Sequence, residues 1–181
     1  MLKKYIITGA PGTGKSTLID ALEHQGIPCL KEMSRKVIIN EQNTGNDGMP
    51  WENINRFTYL VFEETKAALL NENESVFCDR SLVDNLAYLR HYNKTIPDYL
   101  KQFDYTKYYH KTVFIALPWE SIYKTDLQRP EGFNVQLALS KQLVETYFKK
   151  NFDLVYLPFS TVKERVRFIL NELKNKNNSS S

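Results

Sequence analysis

One glycine-rich segment near the start of the chain has the residue types and spacing of a phosphate-binding loop. It follows the apolar run 5–7 and consists of Gly9, Ala10, Pro11, Gly12, Thr13, Gly14, Lys15, Ser16 and Thr17. Glycines let the backbone curl so that successive N–H groups point at phosphate oxygens, and a following helix adds the positive end of its dipole. Lys15 would then contact the β- and γ-phosphates, and Ser16 would bind Mg²⁺. The segment predicts a site for ATP and Mg²⁺.

A second group of polar residues follows the apolar run 75–78. Asp79 can accept a proton from a substrate hydroxyl or hold Mg²⁺ through water, and Arg80 can bind a substrate anion. The alternative for Asp79 is a structural cap on the next helix, although Ser81 is the better candidate for that cap. Asp84 lies one turn further on, where it would meet either substrate or solvent.

Glu32 and Arg35 are three residues apart and follow the apolar run 27–31 directly. They lie on what looks like one face of the helix that begins there. The pair can hold substrate hydroxyls and a phosphate, or it can be a surface ion pair. The sequence therefore makes both residues candidates for substrate binding.

Further along the chain, Arg129 lies where a mobile segment can swing a cation over the transferring phosphoryl group. Asp126, three residues earlier, can orient it, whereas Lys124 is better explained as a solvated charge. Trp119 can stack on a base or pack in the core. We expect a short lid in this region, with Arg129 as a catalytic residue and Asp126 as a substrate-binding one.

Short apolar segments alternate with longer amphipathic ones, which is typical of a parallel sheet covered by crossover helices. The predicted fold is a three-layer α/β P-loop NTPase fold with a five-stranded parallel sheet and helices on both faces. The five strands are predicted at Lys3–Thr8, Ile27–Lys31, Ser75–Cys78, Thr112–Leu117 and Asp153–Leu157.

Apolar residues at helical spacing predict helices over 17–25, 51–70 and 133–148. A capping box at Thr161 predicts a last helix that ends near Lys174. Residues 1–174 are therefore predicted to form one domain, and the polar segment 175–181 a disordered tail. The Gly- and Asn-rich stretch 43–50 is predicted to be a loop that either closes over a substrate or is a plain surface connection.

Composition narrows the classes of protein to which the chain can belong. At 181 residues with a net charge of +3, it is large enough for one core and too weakly basic to argue for a nucleic-acid partner. Cys29 and Cys78 fall in predicted buried strands, as expected for apolar fillers in a reducing compartment. Neither a leader nor a membrane-spanning run is recognisable, so we expect a cytoplasmic protein with no membrane partner.

Four stretches resemble the small stand-alone P-loop ATPases of the AAA family, in particular the ribosylnicotinamide-kinase domain of bifunctional regulators of NAD metabolism. They are the phosphate loop, Glu32-x-x-Arg35, the segment 79–84, and the segment 118–129 with its Trp-Glu-x-Ile-Tyr-x-x-Asp-x-x-Arg pattern. The resemblance extends from Leu2 to about Leu173. The chain lacks the adenylyltransferase domain of those regulators and the sensor-arginine region of hexameric AAA motors.

The resemblance implies a fold like that of nucleoside and nucleotide kinases, with the phosphate-loop strand in the centre of the sheet and a lid that carries Arg129. It also implies that Lys15 and Ser16 serve ATP and Mg²⁺, and that Asp79 has the position of the base or metal-organising acid. We expect a Mg²⁺- and ATP-dependent phosphotransferase whose acceptor is a small, nucleoside-like or nucleotide-like molecule. The alternatives are a nucleotide-dependent switch and an ATPase without an acceptor.

Overall fold

The computed structural model describes residues 4–123 and 132–178. Five parallel strands form one sheet in the order β2-β3-β1-β4-β5. Their bounds are Lys4–Thr8 (β1), Cys29–Leu30 (β2), Val76–Asp79 (β3), Tyr109–Ile115 (β4) and Asp153–Tyr156 (β5). The predicted five-stranded parallel sheet is confirmed, with a shorter β2 and an earlier start of β4.

Eight helices and one 3₁₀ turn connect these strands within the described residues. The helices are Lys15–Glu23 (α1), Met33–Thr44 (α2), Ile54–Asn71 (α3), Leu82–His91 (α4), Asp98–Lys101 (α5), Tyr105–Tyr108 (α6), Phe133–Lys149 (α7) and Val162–Asn178 (α8), and the 3₁₀ turn is Glu120–Ile122. None of these helices has both the length and the apolar composition that crossing a membrane requires.

Two apolar clusters lie on opposite faces of the sheet and make the fold three-layered. One face is covered by α1 and α8. Leu18 of α1 and Ile169 of α8 are fully buried against Phe114 of β4. The other face is covered by α3, α4 and α7, which bury the larger cluster. The central strands are apolar without alternation because both of their faces are covered, as is usual in parallel sheets.

The last helix is longer than the sequence predicts. It was predicted to end near Lys174, but α8 continues to Asn178, so the first four residues of the predicted disordered tail are helical. No Gly or Pro interrupts this stretch, and polar residues are compatible with an exposed helical turn. Lys176 also donates a hydrogen bond from Nζ to Thr112 Oγ1 of β4 at 2.9 Å, which ties this end of the helix to the sheet.

The predicted loop 43–50 begins two residues late, because α2 extends to Thr44 and ends at Gly45 with φ +67°. Glu41 of α2 fixes the loop, accepting a hydrogen bond from the Gly48 N–H and pairing with Arg56 of α3 at 2.6 Å. The loop thus packs against two helices, and its far end enters the wall of the cavity described below.

Candidate functional site

A cavity of about 730 Å³ lies beside the carboxyl ends of the central strands, where ligands of open α/β sheets collect. Its walls come from the phosphate loop, from the start of α2, from α3 and α4, and from the segment that connects β5 to α8. The volume is within the range of small-molecule sites. One cavity therefore adjoins most of the segments that the sequence singled out.

The phosphate loop has the backbone that its glycines predict. Gly9, Gly12 and Gly14 have φ values of +152°, +82° and +78°. A Cβ on Gly9 would lie only 2.1 Å from the backbone oxygen of Ala116, so no side chain fits there. The loop can therefore take this shape only with glycine at that position.

Six of the nine predicted loop residues line the cavity: Pro11, Gly12, Gly14, Lys15, Ser16 and Thr17. Gly9, Ala10 and Thr13 instead support the loop from behind. Thr13 Oγ1 donates a hydrogen bond to Ala10 O at 2.9 Å, and Lys15 Nζ donates to the same oxygen, also at 2.9 Å. Burial lowers the pKa of Lys15 to about 8, because a buried ammonium group is costly. A bound anion beside Lys15 would offset this cost.

Arg80 is the centre of a buried polar network at the end of β3. Its Nε donates to Glu32 Oε1 at 2.6 Å, and its Nη1 donates to Gly9 O at 3.0 Å and to Asp84 Oδ1 at 3.2 Å. The guanidinium also lies 5.8 Å from the ring centroid of Tyr88. Arg80 lines the cavity, so a fixed cation joins the phosphate loop to the start of α2.

Asp84, which the sequence predicts to meet either substrate or solvent, lies in the interior, and its side chain does not line this cavity. Its carboxylate accepts hydrogen bonds from Thr8 Oγ1, from the Ser81 N–H and from the Tyr147 hydroxyl in addition to Arg80. The bond with Ser81 is half of a capping box, which confirms Ser81 as the cap of α4. Asp84 is thus paired with Arg80 inside the fold.

Asp79 pairs in register with Ile7, two residues before the phosphate loop. Its Oδ1 is buried and has no hydrogen-bond partner, and its side chain does not line the cavity. Burial raises the pKa of Asp79 to about 7, and the nearby negative charge of Glu32 acts in the same direction. An orphaned carboxylate oxygen beside the loop that carries Ser16 fits a water-mediated ligand of Mg²⁺.

Glu32 and Arg35 both line the cavity, as their spacing at the start of α2 suggests. Burial alone would raise the pKa of Glu32, but the charges of Arg80 and Lys15 outweigh it and hold that pKa below its ordinary value. Among the described residues, Glu32 supplies the only carboxylate on the cavity wall. It is therefore an ionised group that faces the space a ligand would fill.

Sequence reasoning missed an aromatic wall and a buried arginine. Trp51, Phe57 and Tyr88 line the cavity, although the apolar spacing over 51–70 predicts only a helix there. Trp119 also lines the cavity, with its ring 5.5 Å from that of Phe159. Arg165 of α8 also reaches the cavity. The sequence already makes Trp119 a candidate for stacking on a base. No local pattern marks the other four side chains as site residues, because elements distant in sequence bring them to the site.

Three residues predicted in or near the lid lie outside the described residues: Lys124, Asp126 and Arg129. The roles predicted for Asp126 and Arg129 stay predictions.

The chain is similar in structure to several kinases of known structure. Deoxyadenosine kinase from M. mycoides with bound dATP matches with a TM-score of 0.68 and 17% identity, over 95% of this chain and 99% of that one. Thymidylate kinase from Candida albicans matches with a TM-score of 0.66 and 16% identity, over 98% and 93%. Shikimate kinase from Aquifex aeolicus matches with a TM-score of 0.56 and 17% identity, over 96% and 98%.

Sequence comparison gives the family. No curated protein matches the chain. Residues 4–165, however, match the family model AAA_28, described as an AAA domain. The chain therefore belongs to this family of AAA domains, and its fold is that of the P-loop nucleoside and nucleotide kinases.

Proposed function

We propose that the protein transfers the γ-phosphoryl group of Mg·ATP to a hydroxyl group of a nucleoside-like or nucleotide-like acceptor. The observation that carries the proposal is a single cavity with a phosphate loop on one side and a carboxylate, two arginines and an aromatic wall on the other. A binding protein for ATP alone needs only the first part. A phosphotransferase needs both, because donor and acceptor must lie side by side.

The donor half is formed by the phosphate loop and α1. Lys15 gives up its bond to Ala10 O and turns to the β- and γ-phosphates, while the loop N–H groups contact the remaining oxygens. Ser16 and, through water, Asp79 would hold Mg²⁺, which neutralises the charge that develops on the phosphates. In this account Asp79 organises the metal.

The acceptor half is formed by α2, α3 and α4. Trp51, Phe57 and Tyr88 offer the flat apolar surface against which a heterocyclic base stacks, and Arg35 offers a cation to a phosphate or a polar edge of the base. Structures similar to this chain include deoxyadenosine kinase with the product dCMP and thymidylate kinase, which agrees with an acceptor of this class.

Glu32 is the better candidate for the group that accepts the acceptor's proton. It is ionised and on the cavity wall, whereas Asp79 is set back from the cavity and has a raised pKa. The proton of the acceptor hydroxyl passes to a Glu32 carboxylate oxygen as that hydroxyl's oxygen bonds to the γ-phosphorus, and ADP leaves with the electrons of the broken P–O bond. Arg80 keeps the carboxylate in place throughout.

The test is the rate of ADP release from Mg·ATP with and without a panel of nucleosides, nicotinamide riboside, nucleoside monophosphates and shikimate. Lys15→Ala is the blank. The proposal predicts that at least one nucleoside or nucleotide stimulates release by tenfold or more, on the order of a modest catalytic contribution. A slow rate that no acceptor changes, alongside tight ATP binding, would favour the switch or the acceptor-free ATPase instead.

Two isosteric variants separate the roles of the carboxylates. Glu32→Gln should lower the rate of transfer by about 10²–10⁴-fold with little change in ATP affinity, as expected for a general base. Asp79→Asn should instead raise the Mg²⁺ concentration needed for half-maximal rate. Wild-type transfer by Glu32→Gln would show that the assigned base is wrong.

A further inference from the structure

Arg165 is a buried cation that no carboxylate neutralises within the described part of the chain. It is 4% exposed, and its Nη1 donates a hydrogen bond to the backbone oxygen of Thr13 at 3.2 Å. Its Nε is buried without a hydrogen-bond partner. Burial lowers the pKa of Arg165 below its ordinary value. A buried charge in this condition is costly, and an anion in contact with the guanidinium would offset that cost.

The position of Arg165 indicates which anion it can bind. The residue lies in the first turn of α8 and lines the same cavity as the phosphate loop. A Cβ added to Gly14 would lie 3.1 Å from Arg165 Nη1, so the guanidinium packs directly on the loop's last glycine. Ser160 Oγ, close by in the connection from β5, is a second buried polar atom without a partner on this side of the cavity.

We propose that Arg165 forms a second cationic contact, besides Lys15, for the phosphate chain of the donor nucleotide. The contact is provided by the last helix of the chain and reaches a loop 152 residues earlier in sequence. A guanidinium can hold the Thr13 carbonyl with one N–H and a phosphate oxygen with another, because its five donors point in fixed, different directions. The proposal rests on the donor half of the proposed function and not on transfer to an acceptor.

The test measures the binding of ATP, inorganic tripolyphosphate and adenosine, each with Mg²⁺, by isothermal titration calorimetry. The variants are Arg165→Ala, Arg165→Gln and Arg165→Lys, with the exposed Arg167→Ala of the same helix as the matched control. Gln keeps an N–H that can bond the Thr13 carbonyl but removes the charge, whereas Lys keeps the charge. Far-UV circular dichroism confirms that each variant is folded.

The proposal predicts that Ala and Gln weaken the binding of ATP and tripolyphosphate by about tenfold to a hundredfold, the loss expected for one charge-assisted hydrogen bond. Lys should lose less, Arg167→Ala should bind as the wild type does, and adenosine affinity should not change. Wild-type ATP affinity in Arg165→Gln would overturn the proposal, since Arg165 would then only support the loop.

Loss of adenosine affinity with tripolyphosphate affinity unchanged would also overturn the proposal, because the contact would then be to the base. The two proposals fail separately. A protein that binds ATP through Arg165 but phosphorylates no acceptor would contradict the proposed transfer and leave this inference standing.

Discussion

Arg80 has a backbone conformation that few non-glycine residues adopt, with φ +70°. Such a conformation costs of the order of 1–3 kcal/mol and persists where surrounding contacts fix it. Here the contacts are the bonds of the guanidinium to Glu32, Gly9 and Asp84. The strained residue thus lies where the phosphate loop and the acceptor half of the cavity meet, which is expected of a functional site.

Removal of Asp84 should test whether this network is needed for folding. Asp84→Ala leaves the buried Arg80 with one carboxylate fewer and removes one of the two hydrogen-bond partners of the Tyr147 hydroxyl, so the free energy of unfolding should fall by about 3–5 kcal/mol. Urea denaturation measures it. Asp98→Ala, which breaks an exposed pair with Lys101, is the control and should cost less than about 1 kcal/mol. Equal, small losses would mean that the network is dispensable.

Asp79 should make stability depend on pH in the metal-free protein. Its pKa is about 7 in the fold and 3.8 in a free side chain, so between these values the folded state holds a proton that the unfolded chain has lost. The free energy of unfolding therefore falls as pH rises through this range. Asn does not titrate, so the free energy of unfolding of Asp79→Asn should not show this fall. Relative to the wild type, the variant should therefore become more stable by about 2–3 kcal/mol as the pH rises from 5 to 7.5.

The measurement is urea denaturation at several pH values, with a chelator present and nucleotide absent. Parallel pH profiles for the variant and the wild type would contradict the raised pKa.

Local sequence signals predicted some of these residues and not others. The phosphate loop and the Ser81 cap depend on a few neighbouring residues, so their spacing alone indicates them. The interior place of Asp84 depends on Thr8 and Tyr147, which are 76 and 63 residues away. Arg165 likewise donates its hydrogen bond to a residue 152 positions earlier. Roles that come from distant contacts have no local pattern, which is why the sequence did not predict them.

A tyrosine of α7 joins that helix to the start of α4. Tyr147 is fully buried, and its hydroxyl bonds both Asp84 and Ser81. Tyr147→Phe keeps the ring but removes the hydroxyl, so the free energy of unfolding should fall by about 1–2 kcal/mol. Thermal or urea denaturation measures the change. Tyr156→Phe is the control, because Tyr156 of β5 is half-exposed, and it should change the free energy of unfolding little.

If Tyr147→Phe were as stable as the wild type, the hydroxyl would not contribute to the junction between α4 and α7.

The elements themselves were largely predictable because their periodicity is strong. Each predicted strand exists, and α3 and α7 lie close to their predicted ranges. The errors arise at ends and in short pieces. The strand β2 has only two residues, Cys29 and Leu30, that pair with β3. The helices α5 and α6 have four residues each, too few to show a helical period.

A bound nucleotide should stabilise the whole fold by mass action. ATP with Mg²⁺ at about 100 times its Kd adds about 2.7 kcal/mol, and for a chain of 181 residues this should raise Tm by about 5–10 °C. Differential scanning fluorimetry measures the shift. Lys15→Ala should lose most of it, and the exposed Lys36→Ala should keep it. A shift of the same size in Lys15→Ala would place the nucleotide elsewhere.

The most direct test of the central claim is the identity of the product. The protein is incubated with Mg·ATP and the acceptor that most stimulates ADP release, and the acceptor is then analysed by mass spectrometry. We expect an acceptor that is heavier by one phosphoryl group, in amounts equal to the ADP formed, and no such product from Lys15→Ala. ADP formed together with free phosphate and an unchanged acceptor would contradict a phosphotransferase.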